Sequence, residues 1–90
     1  MTKEEAGIII ELMDSEFDSH DFIRLFIQHF PSTYAKILYK HNCVNTAHGE
    51  IARFLYTNAY TLKIRLMNKD SGSPNIYNNV STNARWHKTV

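Results

Sequence analysis

Apolar positions recur at helical spacing through the first two-thirds of the chain. Over residues 3–13, Ile8, Ile9, Leu12 and Met13 fall on one side while Glu4, Glu5 and Glu11 fall elsewhere, an amphipathic helix with acids in its first turn. This helix is expected to pack by its isoleucine face. The stretch Asp18-Ser19-His20-Asp21 offers two N-caps, after which Phe22, Ile23, Phe26, Ile27 and Phe30 recur at spacings of three and four until Pro31 ends the run. Ser32 or Thr33 then caps a third helix in which Tyr34, Ile37, Leu38 and His41 share a face. Asn45 or Thr46 caps a fourth, with Ile51, Phe54 and Leu55 turned inward.

Beyond Leu66 the texture changes. Asn68-Lys69-Asp70-Ser71-Gly72-Ser73-Pro74-Asn75 is made of turn-forming residues, and a small strand or wing fits around Ile76-Tyr77. Ser81 is expected to begin a short helical turn that brings Trp86 onto the body, since burying so large a ring is worth roughly 2–3 kcal/mol. The expected fold is therefore all-α, or mainly α with a short C-terminal wing or hairpin: a compact bundle of four to five helices. A chain of 90 residues supplies one core, so residues 1–90 are expected to form a single domain, with 67–90 a loop-rich segment carrying a docked Trp86. No fixed-period repeat is visible, which sets solenoids aside.

Composition narrows the setting. The lone Cys43 cannot form an intramolecular disulfide, and a reducing, cytoplasmic location is the expectation. The short apolar run Gly7-Ile8-Ile9-Ile10 is flanked by acids and reads as helix, not as a signal peptide. No apolar stretch approaches the roughly 20 residues that span a bilayer, so no membrane role is expected. Charge is near balance overall but divided along the chain. Residues 1–21 hold seven acids against Lys3, a net −6, and residues 22–90 hold nine bases against Glu50 and Asp70, a net +7. Such a split is compatible with a polyanion-binding surface, and equally with an acidic segment that packs beside the basic one and balances it.

The segment from Glu50 to Leu66 carries the most specific pattern. Glu50-Ile51-Ala52-Arg53-Phe54-Leu55, then Asn58, then Thr61-Leu62 and Leu66, resembles the helix-turn-helix of bacterial DNA-binding regulators. In such motifs a small residue, here Ala52, lets two helices cross closely. A polar cap, here Asn58, starts the second helix, which keeps one apolar face inward and offers polar residues to the major groove. The resemblance implies that Tyr60, Lys63 and Arg65, with Ala59 beside them, face DNA, and that Arg53, Lys69 and Arg85 contact phosphates. One position departs from the pattern: Tyr56 stands where the turn glycine is expected, at a left-handed position that tyrosine tolerates poorly. A single helix over residues 46–66 fits the same apolar spacing, and it would leave Arg53, Tyr60 and Lys63 as a solvated face or a partner groove.

The spacing Ser73-x-Asn75-Ile76-Tyr77-x-x-x-Ser81-x-x-x-x-Trp86, following Ile51 to Leu55 and Asn58-Ala59, is similar to that of a group of small proteins of Bacteroidales genomes and mobile elements. That similarity brings no assigned activity. It implies that the C-terminal tail belongs to the fold. Metal and catalytic readings are weaker. His41, Cys43 and His48 lie close together but lack the paired spacings of a four-ligand zinc site. Asp14-x-Glu16-x-Asp18 lacks the glycine and twelfth-position acid of a calcium loop. Cys43 with either histidine has no orienting third group, and no phosphate-cradling glycine loop exists. No catalytic residue, metal or cofactor is expected. The reading is a small non-enzymatic DNA-binding or accessory regulatory protein, its partner double-stranded DNA and its state a homodimer. The alternative is a protein-interaction module of a bacterial or mobile-element system without DNA contact.

Overall fold

The all-helical expectation is overturned by the computed structural model, which describes residues 1–89: the chain folds as α+β, with a three-stranded antiparallel sheet packed against helices. The elements run α1 (Lys3–Glu11), β1 (Glu16–Asp18), α2 (Ser19–His29), α3 (Pro31–His41), α4 (Val44–Thr57), α5 (Ala59–Leu62), β2 (Ile64–Pro74) and β3 (Val80–Lys88). Strand order is β1-β3-β2. Residues 67–90 were expected to be loop-rich with a helical turn from Ser81, yet the described part is mostly a long hairpin. The alternation of buried Ala84 and Trp86 with half-buried Asn83, Arg85 and His87 has the period of a strand, and this outweighs the capping potential of Ser81.

Capping sets the helix starts. Thr2 Oγ1 accepts from the Glu5 N–H at 3.1 Å while Glu5 returns a bond to the Thr2 N–H at 2.8 Å, a reciprocal capping box at α1. Asp18 and Asp21 make the same exchange at α2, at 2.8 and 3.3 Å. Two expected caps are displaced: Pro31 occupies the first turn of α3, where its missing N–H costs nothing, and Cys43 precedes α4. α1 is also rotated from its expected face. Ala6, Ile9 and Ile10 are buried, with Met13 partly so, whereas Ile8 and Leu12 are exposed.

One core joins the layers. Ile9, Phe17, Phe22, Phe26, Ile51, Leu55 and Trp86 are its largest fully buried side chains. Phe22 and Phe26 stack on α2 with ring centroids 6.1 Å apart, and Phe30, which caps its C-terminus, tilts against Phe26 at 5.9 Å. Phe17 of β1 and Leu66 of β2 flank Trp86 of β3 in register, so the tryptophan row lies on the helix-covered face of the sheet. Glu16, His87 and Arg65 form the neighbouring row, on the opposite face. β2 is an edge strand. Its register shifts twice, between Leu66 and Asn68 and between Asn68 and Ser71, and it carries Lys69 and ends on Pro74, features that discourage edge-to-edge pairing.

Candidate nucleic-acid interface

The junction after α4 decides what the Glu50–Leu66 segment presents. α4 closes at Thr57, where Asn58 interrupts it, its side-chain amide donating to the Phe54 carbonyl at 2.9 Å. α5 is one turn long. Lys63 then takes the left-handed conformation, φ 59°, and Ile64 begins β2. The single helix over residues 46–66 is thus replaced by a helix, a turn of helix and a strand. Tyr56 keeps ordinary helical backbone, so the left-handed position falls on Lys63 and the steric objection to tyrosine does not arise. Thr61 and Leu62 lie on α5 and Leu66 on β2.

The six candidate DNA contacts separate onto several surfaces. Tyr60 is 97% exposed on α5. Lys63 lines a groove with Lys3, Glu4, Glu11 and Lys88, beside the acids of α1. Arg65 and Arg85 lie on the outer face of the sheet, where Arg85 Nε is 3.5 Å from Glu16. Arg53 is exposed on α4, beside Glu50. Lys69 alone among the six lines the cleft between the hairpin and α4. The acidic N-terminal segment therefore offsets part of the basic one, through Glu16 at Arg85, Asp21 at Arg24 (3.5 Å) and the α1 acids near Lys63. Among the described residues, Arg53, Lys63, Arg65 and Lys69 form no ion pair.

What remains is a cleft of about 320 Å³ between the hairpin and helices α2 and α4. From α4 it receives Asn45, His48, Gly49, Ala52 and Tyr56, a stripe at spacings of three and four. Its far wall is the hairpin, including Lys69 and Tyr77. The residues lining it include no carboxylate. Glu50, the single acid of α4, is turned away and accepts from Lys40 Nζ at 3.0 Å and His41 Nε2 at 2.8 Å, with the His41 bond chief among the contacts that lower its pKa.

The hairpin is held against α2 by the residues of the C-terminal spacing. His20 Nδ1 lies 3.1 Å from the Ser73 carbonyl and 2.9 Å from the Ser73 hydroxyl; because the carbonyl can only accept, Nδ1 carries the proton. His20 Nε2 meets the Ser81 hydroxyl at 3.3 Å, and the His20 N–H donates to Asn83 Oδ1 at 2.9 Å. Arg24 Nη2 donates to the carbonyls of Pro74 and Asn75, while Asn75 Oδ1 accepts from the N–H groups of Tyr77 and Asn79 and closes the turn. Trp86 is 1% exposed and its Nε1–H donates to Ser19 Oγ at 3.2 Å. Ser73, Asn75, Ser81 and Trp86 are thereby accounted for as structural ties.

His48 is set apart from these. Its Nε2 is 2.8 Å from the Tyr34 hydroxyl, and burial, then the nearby His20, lower its pKa. Burial likewise raises the pKa of Tyr34. His41, Cys43 and His48 are not assembled around a common point: His41 pairs with Glu50, His48 with Tyr34, and Cys43 is exposed. Among the described residues no group of three or more His, Cys, Asp or Glu side chains is placed to hold a metal. No described helix is long and apolar enough to cross a membrane. Of the residues lining this cleft, His48 stands out in the sequence only as a metal ligand or a partner of Cys43; for Asn45 and Gly49 the polar and small stripe at every third or fourth position of α4 was the available signal, while Tyr77 reaches the cleft through the hairpin. In comparisons with known proteins, no family model, curated protein or solved structure matches the chain.

Proposed function

We propose that the chain is a small, cytoplasmic, non-enzymatic duplex-DNA-binding protein in which α4, flanked by the β2–β3 hairpin as a wing, is the presented helix. The observation that carries this reading is the acid-free stripe of α4 (Asn45, His48, Gly49, Ala52 and Tyr56) beside a hairpin that brings Lys69 to the same cleft. At about 1.5 Å per residue, the 14-residue α4 spans about 21 Å, enough to lie along a major groove, whereas the four residues of α5 span about 6 Å. Helix-turn-helix character thus moves from the short second helix to the long first one. Lys69 in the cleft and Arg53 farther round α4 supply phosphate contacts. Arg65 and Arg85 on the outer sheet face contribute only general attraction. A symmetric dimer is the state in which such a unit reads two half-sites.

A second reading has its own observation. Ile8 and Leu12, 49% and 56% exposed, lie one turn apart on α1 among Glu4 and Glu11, a surface suited to a partner protein with an apolar, basic face. Duplex binding followed by fluorescence anisotropy separates the two. The DNA reading requires binding that weakens with salt and is weaker, with a lower salt slope, in Arg53→Gln with Lys69→Gln but unchanged in Ile8→Ser with Leu12→Ser. Absence of duplex binding by the parent protein even at low salt would favour the partner reading.

A further inference from the structure

We propose that the cleft between α4 and the hairpin is a phosphate seat that takes a backbone phosphodiester of the bound duplex. This rests on the DNA reading above. The lining offers donors and no competing acid: Lys69 from β2, His48 and Asn45 from α4, and Tyr77 from the turn. The other titratable groups facing the cleft are His20 of α2 and Tyr56 of α4. Nearby charges are already satisfied. Asp18 and Asp21 are bonded to each other's N–H groups, and Arg24 is held by Asp21 and the hairpin carbonyls.

Two further features point to a ligand of this kind. With Nε2 paired to the Tyr34 hydroxyl, which can donate or accept, His48 Nδ1 has no partner among the described residues, and protonation of the ring gives it a hydrogen that needs an acceptor. An anion oxygen supplies one. The second feature is Gly49. A glycine inside a helix costs roughly 0.5–1 kcal/mol relative to alanine, and here the fold asks for none: its φ is not positive and an added Cβ would meet nothing within 4 Å. Gly49 borders the cleft, where the absence of a side chain leaves room for a phosphate and its sugars to approach the helix backbone. The ligand class is a phosphate ester, and two sources share that chemistry, a nucleic-acid backbone and free phosphate.

A seated phosphate also reverses the balance at His48. Burial and His20 oppose its protonation in the free protein, whereas a neighbouring anion favours it. Occupancy therefore takes up a proton. The test is a pH titration of the histidine ring signals by NMR, with no addition, with inorganic phosphate, and with a mixed-sequence duplex at low salt, in parallel with binding measurements. With duplex bound, the pKa of His48 is expected to rise. Lys69→Gln should weaken duplex binding roughly tenfold and lower the log–log salt slope by about one. Gly49→Leu, checked for cooperative urea unfolding, should abolish the His48 response. Lys36→Gln, on α3, should leave that response intact. Duplex binding that leaves His48 unshifted, with Gly49→Leu binding as tightly as the parent, overturns the seat and spares the DNA reading. A His48 shift with inorganic phosphate but no duplex binding overturns the DNA reading and supports the seat for a free phosphate. No response to either anion overturns both.

Discussion

Gly49→Ala separates what the fold needs from what a ligand needs. Gly49 lies inside α4 with ordinary helical backbone, and a methyl group there meets no atom within 4 Å. Every intramolecular effect then favours alanine: less chain entropy is lost on folding, and no steric cost opposes it. The gain is about 0.5–1 kcal/mol. For a domain of this size, that raises the midpoint of thermal unfolding by roughly 2–8 °C. Urea unfolding followed by far-UV circular dichroism should show a higher midpoint with an unchanged slope. Gly7→Ala, inside α1 and equally unobstructed, provides the comparison. It should stabilise by a similar amount and leave duplex affinity alone, whereas Gly49→Ala should stabilise while weakening duplex binding. If Gly49→Ala destabilises the protein while Gly7→Ala stabilises it, the glycine has an intramolecular role and the reasoning is refuted.

Other expectations follow from the same contacts. Trp86→Ala empties the centre of the sheet–helix interface and strands Ser19 Oγ, so denaturant unfolding should register a loss of about 3–5 kcal/mol; a loss under 1 kcal/mol would contradict the placement of Trp86. His20→Ala releases the hairpin from α2, and amide exchange should speed up across residues 71–83 with little change in α3; uniform protection would refute the latch. The pH dependence has two windows. His48, with its pKa lowered, contributes stability that is complete above its unfolded value near 6.5 and lost as pH falls through its folded value, so His48→Gln should flatten the stability profile just below pH 6.5. Glu50, also lowered, acts in the same sense below its ordinary 4.5, and its exposure limits the loss to a few tenths of a kcal/mol.

The helices were legible because their signals are local. The phenylalanine spacing from Phe22 to Phe30 and the Asp18/Asp21 pair place α2 without reference to the rest of the chain. The sheet was hidden for three reasons. β1 is three residues long and too short to display alternation. β2 from Asn68 to Pro74 is composed of turn-forming residues whose extended shape depends on partners far along the chain, including His20, 53 residues from Ser73. β3 did carry a period of two at Ala84 and Trp86, obscured by the polar residues around it. The candidate site divides in the same way. Arg53 and Tyr60 were legible as exposed helix positions, but the approach of Lys69 to α4 depends on the hairpin folding back, and the pairing of Arg85 with Glu16 depends on strand register.

The central claim is that α4 and the hairpin hold duplex DNA, and its most direct measurement is the affinity for a mixed-sequence duplex across a series of salt concentrations. The account predicts binding at low salt that falls linearly in log–log form, with the slope reduced by about two in the doubly substituted Arg53→Gln, Lys69→Gln protein. Absence of binding at low salt, or a slope indifferent to those two residues, would contradict it.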